Sequence, residues 1–315
     1  MCRVGRWELV TMQKRWGSFD VLRHFVSCGS LRMTAVGWRV RTALRSFAVT
    51  ETITSLRARY RELAAARGVN PRDIDVLLAD VTGRSASWVF AHGEEVIETD
   101  VFEALMQRRL RGEPLQYIRG KSEFFGREFF VDDRVLIPRP DTEHLVEAAI
   151  ARAPGGGRVL DVGTGSGCVA ISLERERPDL EVLAIDISAA ALAVASRNAR
   201  RHRSRVRFVA SDALDAIRGD IDLIVSNPPY IPAAEVEGLD IEVRDHEPRV
   251  ALTSGPLGTE VIKRILDARR APMVMFEIGF GQLGDLRHVA RGYDIIDVTN
   301  DLAGIERVVT LSRRL

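Results

Sequence analysis

The sequence predicts an α/β protein in which a small helical bundle precedes a mostly parallel sheet covered by helices. From residue 158 onward, short apolar runs alternate with helical patterns, an order typical of parallel sheets. Between residues 50 and 112, apolar side chains recur instead at the three- and four-residue spacing of helices. A length of 315 residues is sufficient for two such regions.

The carboxyl-terminal region contains seven runs with the length and composition of β-strands. They are residues 158–162, 180–186, 206–210, 221–226, 273–278, 295–298 and 307–311. The last two are predicted to form an antiparallel pair. Helices are predicted between strands at residues 168–177, at 188–202 with Ser188 as the N-cap, and at 258–270.

The amino-terminal region predicts a helical bundle of roughly 60 residues, whose apolar positions form its core. A break at residues 70–73 separates its first helices, and residues 112–114 (GEP) end it. Further predicted elements are helices at 85–90, 100–111 and 141–152, and a β-hairpin at 124–131 with Gly126 at its turn.

Charge is distributed unevenly along the chain. Residues 1–48 contain nine Lys or Arg and two Asp or Glu, whereas the remaining residues have a net charge of −6. An acidic body lacks the basic face that nucleic-acid binding requires. Two interpretations of the basic extension stay open: an organellar transit peptide, or an upstream extension of a chain that starts near Met33. We favour the second.

Cysteine and hydropathy patterns exclude several classes of protein. Cys2, Cys28 and Cys168 form an odd set without metal-like spacing, which predicts neither a disulfide framework nor a metal site and fits a reducing compartment. The chain has no run of about 18 apolar residues that would span a membrane.

A glycine-rich loop, residues 161–167 (DVGTGSG), joins the first predicted strand to its helix. Glycine lets the backbone turn tightly and approach a ligand closely. The GxGxG spacing is one residue shorter than the GxGxxG of dinucleotide sites. We therefore expect a nucleoside cofactor without a pyrophosphate, and the candidate cofactor-binding residues are Gly163, Thr164, Gly165, Ser166 and Gly167.

Acidic residues follow the next two predicted strands. Asp186 ends the second strand, where a carboxylate accepts hydrogen bonds from ribose hydroxyls. Asp212 and Ala213 follow the third strand, at the position that faces an adenine in a sheet of this type. A helix N-cap remains the alternative role for Asp212.

The segment SNPPYI, residues 226–231, follows the fourth strand at the edge where open α/β sheets bind ligands. Pro228 and Pro229 stiffen the backbone and end strand pairing. The side-chain carbonyl of Asn227 and the main-chain carbonyl of Pro228 are predicted to accept the two hydrogens of one planar NH₂ group. Tyr230 provides a flat face on which that group stacks. An amide or an exocyclic base amine fits this description.

These segments carry a family resemblance. DVGTGSG, Asp186 and SNPPYI together resemble the class I S-adenosylmethionine-dependent methyltransferases that act on amino nitrogen. Four further segments resemble the HemK-type release-factor glutamine methyltransferases: GEPLQYI at 112–118, VLIPRPDTE at 135–143, EIG at 277–279 and DLAGIERVV at 301–309. The resemblance covers about residues 50–315. It departs at SGPLG (254–258), where the family more often has Gly-Gly-x-Asp-Gly, and at Ala213, where an aromatic residue is common.

The resemblance implies a domain organisation. A Rossmann-like, seven-stranded class I methyltransferase domain is expected at residues 136–315. A β-hairpin connector at 119–135 would join it to a helical substrate-docking domain at 49–118. Residues 1–48 are expected to be a poorly ordered extension.

The resemblance also implies a reaction. S-adenosyl-L-methionine would be the cofactor, and the acceptor would be N5 of the glutamine in the Gly-Gly-Gln motif of class I peptide-chain release factors, which supports translation termination. Catalysis would fall to Asn227, Pro228 and Tyr230 without a metal, and Pro229 would join them in binding the substrate. We expect a cytoplasmic monomer that binds neither nucleic acid stably nor membrane, and an organellar one if residues 1–48 are a transit peptide.

Three alternatives stay open. A sibling enzyme methylates a glutamine of a ribosomal protein, but it usually has Pro-Arg-Ser where this chain has Pro-Arg-Pro-Asp-Thr-Glu at residues 138–143. A nucleic-acid amino-methyltransferase shares the SNPPYI chemistry and would need a basic face. A cofactor-binding module without catalysis would bind a protein partner and the cofactor but would consume neither.

Overall fold

The computed structural model of the protein describes residues 49–314, so the predicted extension at residues 1–48 lies outside the described residues. The first part of the described chain is helical. Its helices are α1 (Ile53–Ala66), α2 (Arg72–Thr82), α3 (Ala86–Ala91), α4 (Asp100–Leu110) and α5 (Leu115–Arg119). Their apolar faces pack into one core around Leu56, Tyr60, Leu77, Phe102 and Met106, as the helical spacing predicts.

Two short strands, β1 (Thr50–Thr52) and β2 (Val96–Glu98), accompany these helices and were not predicted. They form an antiparallel pair. Thr52 is also the N-cap of α1, because its hydroxyl accepts a hydrogen bond from the main-chain N–H of Ser55. The pair therefore links the start of the first helix to the segment before α4.

The predicted β-hairpin is confirmed as β3 (Ser122–Phe124) and β4 (Arg127–Phe129), with Gly126 at the turn in the left-handed region (φ +69°). Phe124 and Phe129 are buried in the core of the carboxyl-terminal region. A 3₁₀ turn (Pro140–Thr142) and helix α6 (Glu143–Arg152) follow, as predicted.

The sheet has seven strands, which confirms the predicted fold class. They are β5 (Arg158–Val162), β6 (Glu181–Asp186), β7 (Arg207–Ala210), β8 (Leu223–Ser226), β9 (Met273–Glu277), β10 (Tyr293–Asn300) and β11 (Glu306–Arg313). Their order across the sheet is β10-β11-β9-β8-β5-β6-β7. Strands β5 to β9 are parallel to one another, whereas β11 is antiparallel to both β9 and β10.

Helices cover both faces of this sheet. They include α7 (Cys168–Glu176), α8 (Ala189–His202), α11 (Glu260–Asp267) and α12 (Leu283–Val289), with α9 (Ile241–Arg244), α10 (Arg249–Leu252) and a 3₁₀ turn (Val236–Gly238) in the loops after β8. Ser188 caps α8 as predicted, since its hydroxyl accepts from the Ala191 N–H at 3.1 Å. Helix α12 was not predicted. Residues of α6, α7 and α8 fill one apolar layer, and residues of α11 and α12 fill the other.

The strand order reverses at β5, which lies between β6 and β8. In open α/β sheets, ligands bind in the crevice outside the carboxyl ends of the strands at such a switch point. The loops after β5, β6, β7 and β8 all begin at this edge. Within residues 49–314, no helix is long and apolar enough to cross a membrane.

Candidate active site

A cavity of about 340 Å³ opens at the carboxyl edge of the sheet, within the size range of cofactor sites. The structure brings seven of the predicted site residues to its wall: Gly163, Gly165, Asp186, Asp212, Ala213, Asn227 and Pro229. They come from the loops after four different strands, β5, β6, β7 and β8. The strand order therefore assembles residues that are far apart in the sequence.

The glycine loop and Asp186 are joined by hydrogen bonds. The Asp186 carboxylate accepts from the main-chain N–H of Gly165 at 2.9 Å and from that of Ser188 at 2.8 Å. Gly163 and Gly165 both have positive φ (+76° and +54°), which a residue with a Cβ atom adopts with strain. Burial raises the pKa of Asp186, while these N–H donors lower it. Each carboxylate oxygen keeps a lone pair free to accept a hydrogen bond from a ligand hydroxyl.

The remaining three residues of the predicted loop do not reach this cavity. Thr164 turns inward and donates its hydroxyl to Asp161 at 2.6 Å. Thr164 and Ser166 line a small adjoining cavity of about 40 Å³. Gly167 lines neither cavity: it precedes α7, and a Cβ atom there would lie 3.1 Å from the side chain of Ala195. Gly167 thus permits close packing of α7 against α8.

Asp212 and Ala213 lie at the exposed side of the larger cavity. The Asp212 carboxylate forms an ion pair with Arg264 at 2.7 Å. Ala213 has a φ of +46°, and the hydroxyl of Ser211 stabilises this turn by donating to the Ala213 carbonyl at 2.8 Å. Their predicted contact with an adenine stays a prediction.

A second cavity of about 200 Å³ adjoins the first. Its wall contains Asn227, Pro228 and Tyr230, together with the unpredicted Leu136 and Arg139. Asn227 lines both cavities. Pro229 faces the larger cavity, so the two prolines of the SNPPYI segment serve different cavities.

The amide of Asn227 is held in one orientation. Its Nδ2 donates a hydrogen bond to the hydroxyl oxygen of Thr142 at 3.0 Å. Among the described residues, no donor reaches Asn227 Oδ1 or the Pro228 carbonyl. Two acceptors therefore remain available at the junction of the two cavities.

Tyr230 is anchored at both ends. Its hydroxyl donates to Glu277 Oε1 at 3.3 Å, and its main-chain carbonyl accepts from Gln282 Nε2 at 2.6 Å. Burial raises the pKa of Tyr230, so the phenol stays protonated at neutral pH. The 254–258 loop, which departs from the family pattern, packs directly on this main chain: a Cβ atom on Gly258 would lie 2.2 Å from the Tyr230 carbonyl oxygen.

Three side chains around the second cavity were missed as functional candidates. Thr142 holds Asn227, Glu277 holds Tyr230, and Arg139 donates to both carboxylate oxygens of the buried Glu247 at 2.7 and 2.8 Å. A signal for Glu277 was present, because it ends a buried strand in the same way as Asp186. Within residues 49–314, no cluster of His, Cys, Asp or Glu could hold a metal ion.

Comparison with known proteins gives a consistent assignment. Residues 55–120 match the family model of the PrmC N-terminal domain, and residues 141–243 match that of the Methyltransferase small domain. The release factor glutamine methyltransferase of Koribacter versatilis is 40% identical over 267 residues, which cover 79% of this chain and 94% of that protein. The release factor glutamine methyltransferase of Nitratidesulfovibrio vulgaris is 45% identical over 229 residues, which cover 68% of this chain and 78% of that protein.

A third relative, the release factor glutamine methyltransferase of Agrobacterium fabrum, is 37% identical over 276 residues, covering 81% of this chain and 95% of that protein. These alignments cover between 78% and 95% of each relative and confirm the resemblance seen in the sequence segments. The chain belongs to the release factor glutamine methyltransferase family.

Proposed function

We propose that this enzyme transfers a methyl group from S-adenosyl-L-methionine to the side-chain amide nitrogen of the glutamine in the Gly-Gly-Gln motif of class I peptide-chain release factors. Family membership supports the reaction and the substrate class. One observation carries the proposal: a cofactor-sized cavity and a smaller cavity meet at Asn227, next to two available acceptors.

The larger cavity suits an adenosine cofactor. Asp186 presents a carboxylate for the ribose hydroxyls, and the glycine loop lets the backbone approach the ligand. We assign cofactor binding to the wall residues Gly163, Gly165, Asp186, Asp212, Ala213 and Asn227. Thr164, Ser166 and Gly167 would shape the loop without forming the cavity wall.

The smaller cavity suits a primary amide. Amide nitrogen is a poor nucleophile because its lone pair is delocalised into the carbonyl group. Asn227 Oδ1 and the Pro228 carbonyl would accept its two hydrogens, and the Tyr230 ring would cover its plane. These contacts fix the nitrogen relative to the cofactor cavity, and such orientation accounts for a large share of catalytic rate enhancement.

The same two carbonyl oxygens stabilise the positive charge that develops during the reaction. As the substrate nitrogen becomes positive, its N–H bonds become stronger donors, so Asn227 and Pro228 stabilise the transition state more than the bound substrate. S-adenosylmethionine, when bound, would supply the methyl group: its S–C bond would break as the N–C bond forms, and the nitrogen would release one proton. We assign no general base, since the proton can leave to water after transfer.

The helical region would dock the release factor. We propose that residues 49–118 form this docking domain, that residues 119–135 connect it to the methyltransferase domain at 136–315, and that the enzyme acts as a cytoplasmic monomer without stable nucleic-acid or membrane binding. The Tyr117 hydroxyl donates to the Val135 carbonyl at 2.5 Å, so the last residues of the docking domain are tied to the end of the connector.

The test is methyl transfer from radiolabelled S-adenosylmethionine to a purified class I release factor. A release factor whose Gly-Gly-Gln glutamine is replaced by alanine is the matched control. We expect label on the unmodified factor alone. Label on both factors would place the reaction at another residue, and label on neither would redirect the assay to ribosomal proteins and then to nucleic acid.

A further inference from the structure

Glu277 is a buried carboxyl group that the proposed reaction does not use. It ends β9 and has 1% of its surface exposed. The parallel register of β8 and β9 pairs Ser226 with Phe276. Asn227 and Glu277 are the next residues along these two neighbouring strands, so both lie at the same edge of the sheet. Glu277 is therefore a buried neighbour of the acceptor site.

Two groups of the acceptor site converge on this carboxyl. Glu277 Oε1 accepts from the Tyr230 hydroxyl at 3.3 Å. Oε2 has no hydrogen-bond partner among the described residues. Burial raises the pKa of this carboxyl, and hydrogen bonding by the Thr142 side chain is the largest influence that lowers it. Thr142 in turn accepts from Asn227 Nδ2 at 3.0 Å.

The direction of these hydrogen bonds decides which atom of Asn227 faces the substrate. A threonine hydroxyl has one hydrogen, and it can go either to Glu277 or to Asn227. If an ionised Glu277 takes it, Thr142 offers only lone pairs, so Asn227 must present its NH₂ to Thr142 and its Oδ1 to the substrate. If Thr142 instead donates to Asn227, the amide turns over and presents a donor where the substrate also has donors.

We infer that Glu277 and Thr142 are positioning residues for methyl transfer: Glu277 orients the Thr142 hydroxyl, which holds the Asn227 amide with its oxygen toward the acceptor nitrogen, and it also anchors Tyr230. This inference rests on the proposed function, because it assigns a purpose to the orientation of Asn227. One buried carboxylate then orients both Asn227, which accepts a hydrogen bond from the substrate amide, and Tyr230, whose ring covers that amide.

The ionisation of Glu277 connects this arrangement to pH. Burial raises the pKa of Glu277 to about 7, opposed by hydrogen bonding from Thr142 and Tyr230. The other charged or titratable groups that face it are Asp141, Arg307 and Cys168. The ionised form holds the productive amide orientation. The rate of methyl transfer should therefore rise with pH through about 7 and then level off.

The experiment compares Thr142→Val, Thr142→Ser and Glu277→Gln with the unmodified enzyme at saturating cofactor and release factor. Thr142→Val removes the hydroxyl that accepts from Asn227 Nδ2 without changing the shape of the side chain. We expect the rate of methyl transfer to fall at least tenfold. Thr142→Ser keeps the hydroxyl and should stay within about threefold of the unmodified enzyme. Glu277→Gln should lower the rate about tenfold and abolish its dependence on pH near 7.

Thr310→Val is the matched control. Thr310 is a fully buried threonine of β11, and its hydroxyl has no hydrogen-bond partner among the described residues. Its replacement should leave the rate unchanged. Equal rates for Thr142→Val and Thr310→Val, or a loss of cofactor affinity instead of rate in Thr142→Val, would overturn the inference.

A second readout needs no substrate. The chain contains four asparagines, at positions 70, 198, 227 and 300, so ¹⁵N-asparagine labelling gives a simple side-chain NMR spectrum. The Asn227 NH₂ should be protected from hydrogen exchange in the unmodified enzyme and lose that protection in Thr142→Val. Lack of methyl transfer by the unmodified enzyme together with this protection pattern would refute the proposed substrate and leave the amide orientation intact. Unchanged protection in Thr142→Val would refute the inference alone.

Discussion

Arg109 of α4 and Glu242 of α9 form an ion pair of 2.5 Å that spans 133 positions of the sequence. Arg109 also donates to Asp73 of α2 at 2.7 Å, and its side chain is only 5% exposed. One guanidinium therefore bridges the helical region and the loop that follows the SNPPYI segment. That loop also lines the second cavity through Leu239 and Val243.

Arg109→Met should weaken the attachment of the helical region. The substitution leaves Asp73 buried without its cation, and breaking a buried pair in this way costs about 3–5 kcal/mol of unfolding free energy. Urea denaturation measures this loss. Arg249→Met is the control, because the Arg249–Glu237 pair is exposed on both sides and contributes on the order of 0.5 kcal/mol. Similar losses for both variants would contradict the structural role of Arg109.

Asn227→Ala should abolish methyl transfer while the enzyme still binds S-adenosylmethionine. The side chain provides one of two acceptors for the substrate amide, and removal of a preorganised electrostatic contact lowers kcat by about 10²–10³. Rates at saturating cofactor and isothermal titration with S-adenosylmethionine separate the two effects. Asn300→Ala, at an exposed position of β10, is the control. Loss of cofactor binding without loss of intrinsic rate would refute the catalytic role.

Asp186→Asn should weaken binding of S-adenosylmethionine by about tenfold or more. The change removes a charged acceptor that both holds the Gly165 N–H and faces the cofactor cavity. Asp212→Asn should change the dissociation constant by less than about threefold, since the Asp212 carboxylate is half exposed and paired with Arg264. Isothermal titration measures both. An equal or larger effect of Asp212→Asn would reverse the assignment of the main cofactor anchor.

Asp161 should make the enzyme less stable as the pH rises. Burial raises its pKa to about 7, opposed by the Thr164 hydroxyl that donates to it. Because this pKa lies above the unfolded-state value of about 4, the stabilising contribution is complete below about pH 4. It is lost as the pH rises to about 7, by on the order of 4 kcal/mol.

Asp161→Asn removes this titration. The unfolding free energy of the variant should fall less between pH 5 and pH 8 than that of the unmodified enzyme. Urea denaturation across that range provides the comparison, and the exposed Asp285→Asn controls for the loss of one negative charge. Identical slopes for Asp161→Asn and the unmodified enzyme would show that Asp161 does not titrate in this range.

Local patterns in the sequence predict much of this architecture. The alternation of apolar strands and amphipathic helices predicts all seven strands of the main sheet, because each buried element carries its own periodicity. Helix α12 was not predicted because it is only seven residues long and contains Gly284, which lowers helix propensity. Strands β1 and β2 have three residues each, too few for a period of two to be recognised.

The candidate site was only partly predictable for a different reason. Asn227 and Pro228 lie in one short segment whose prolines and position after a strand mark it. Thr142 reaches Asn227 from 85 positions away, and Glu277 reaches Tyr230 from 47 positions away. Such contacts follow from the strand order and the path of the 137–143 segment, which no local pattern specifies.

The strand order also has an evolutionary consequence. The glycine loop, Asp186 and Asp212 follow β5, β6 and β7, whereas Asn227, Pro228 and Tyr230 follow β8 on the other side of the switch point, and Glu277 ends β9. Mutations near Pro228, Tyr230 and Glu277 can therefore reshape acceptor preference while the glycine loop, Asp186 and Asp212 stay intact. A sheet divided in this way lets selection vary what is methylated independently of what supplies the methyl group.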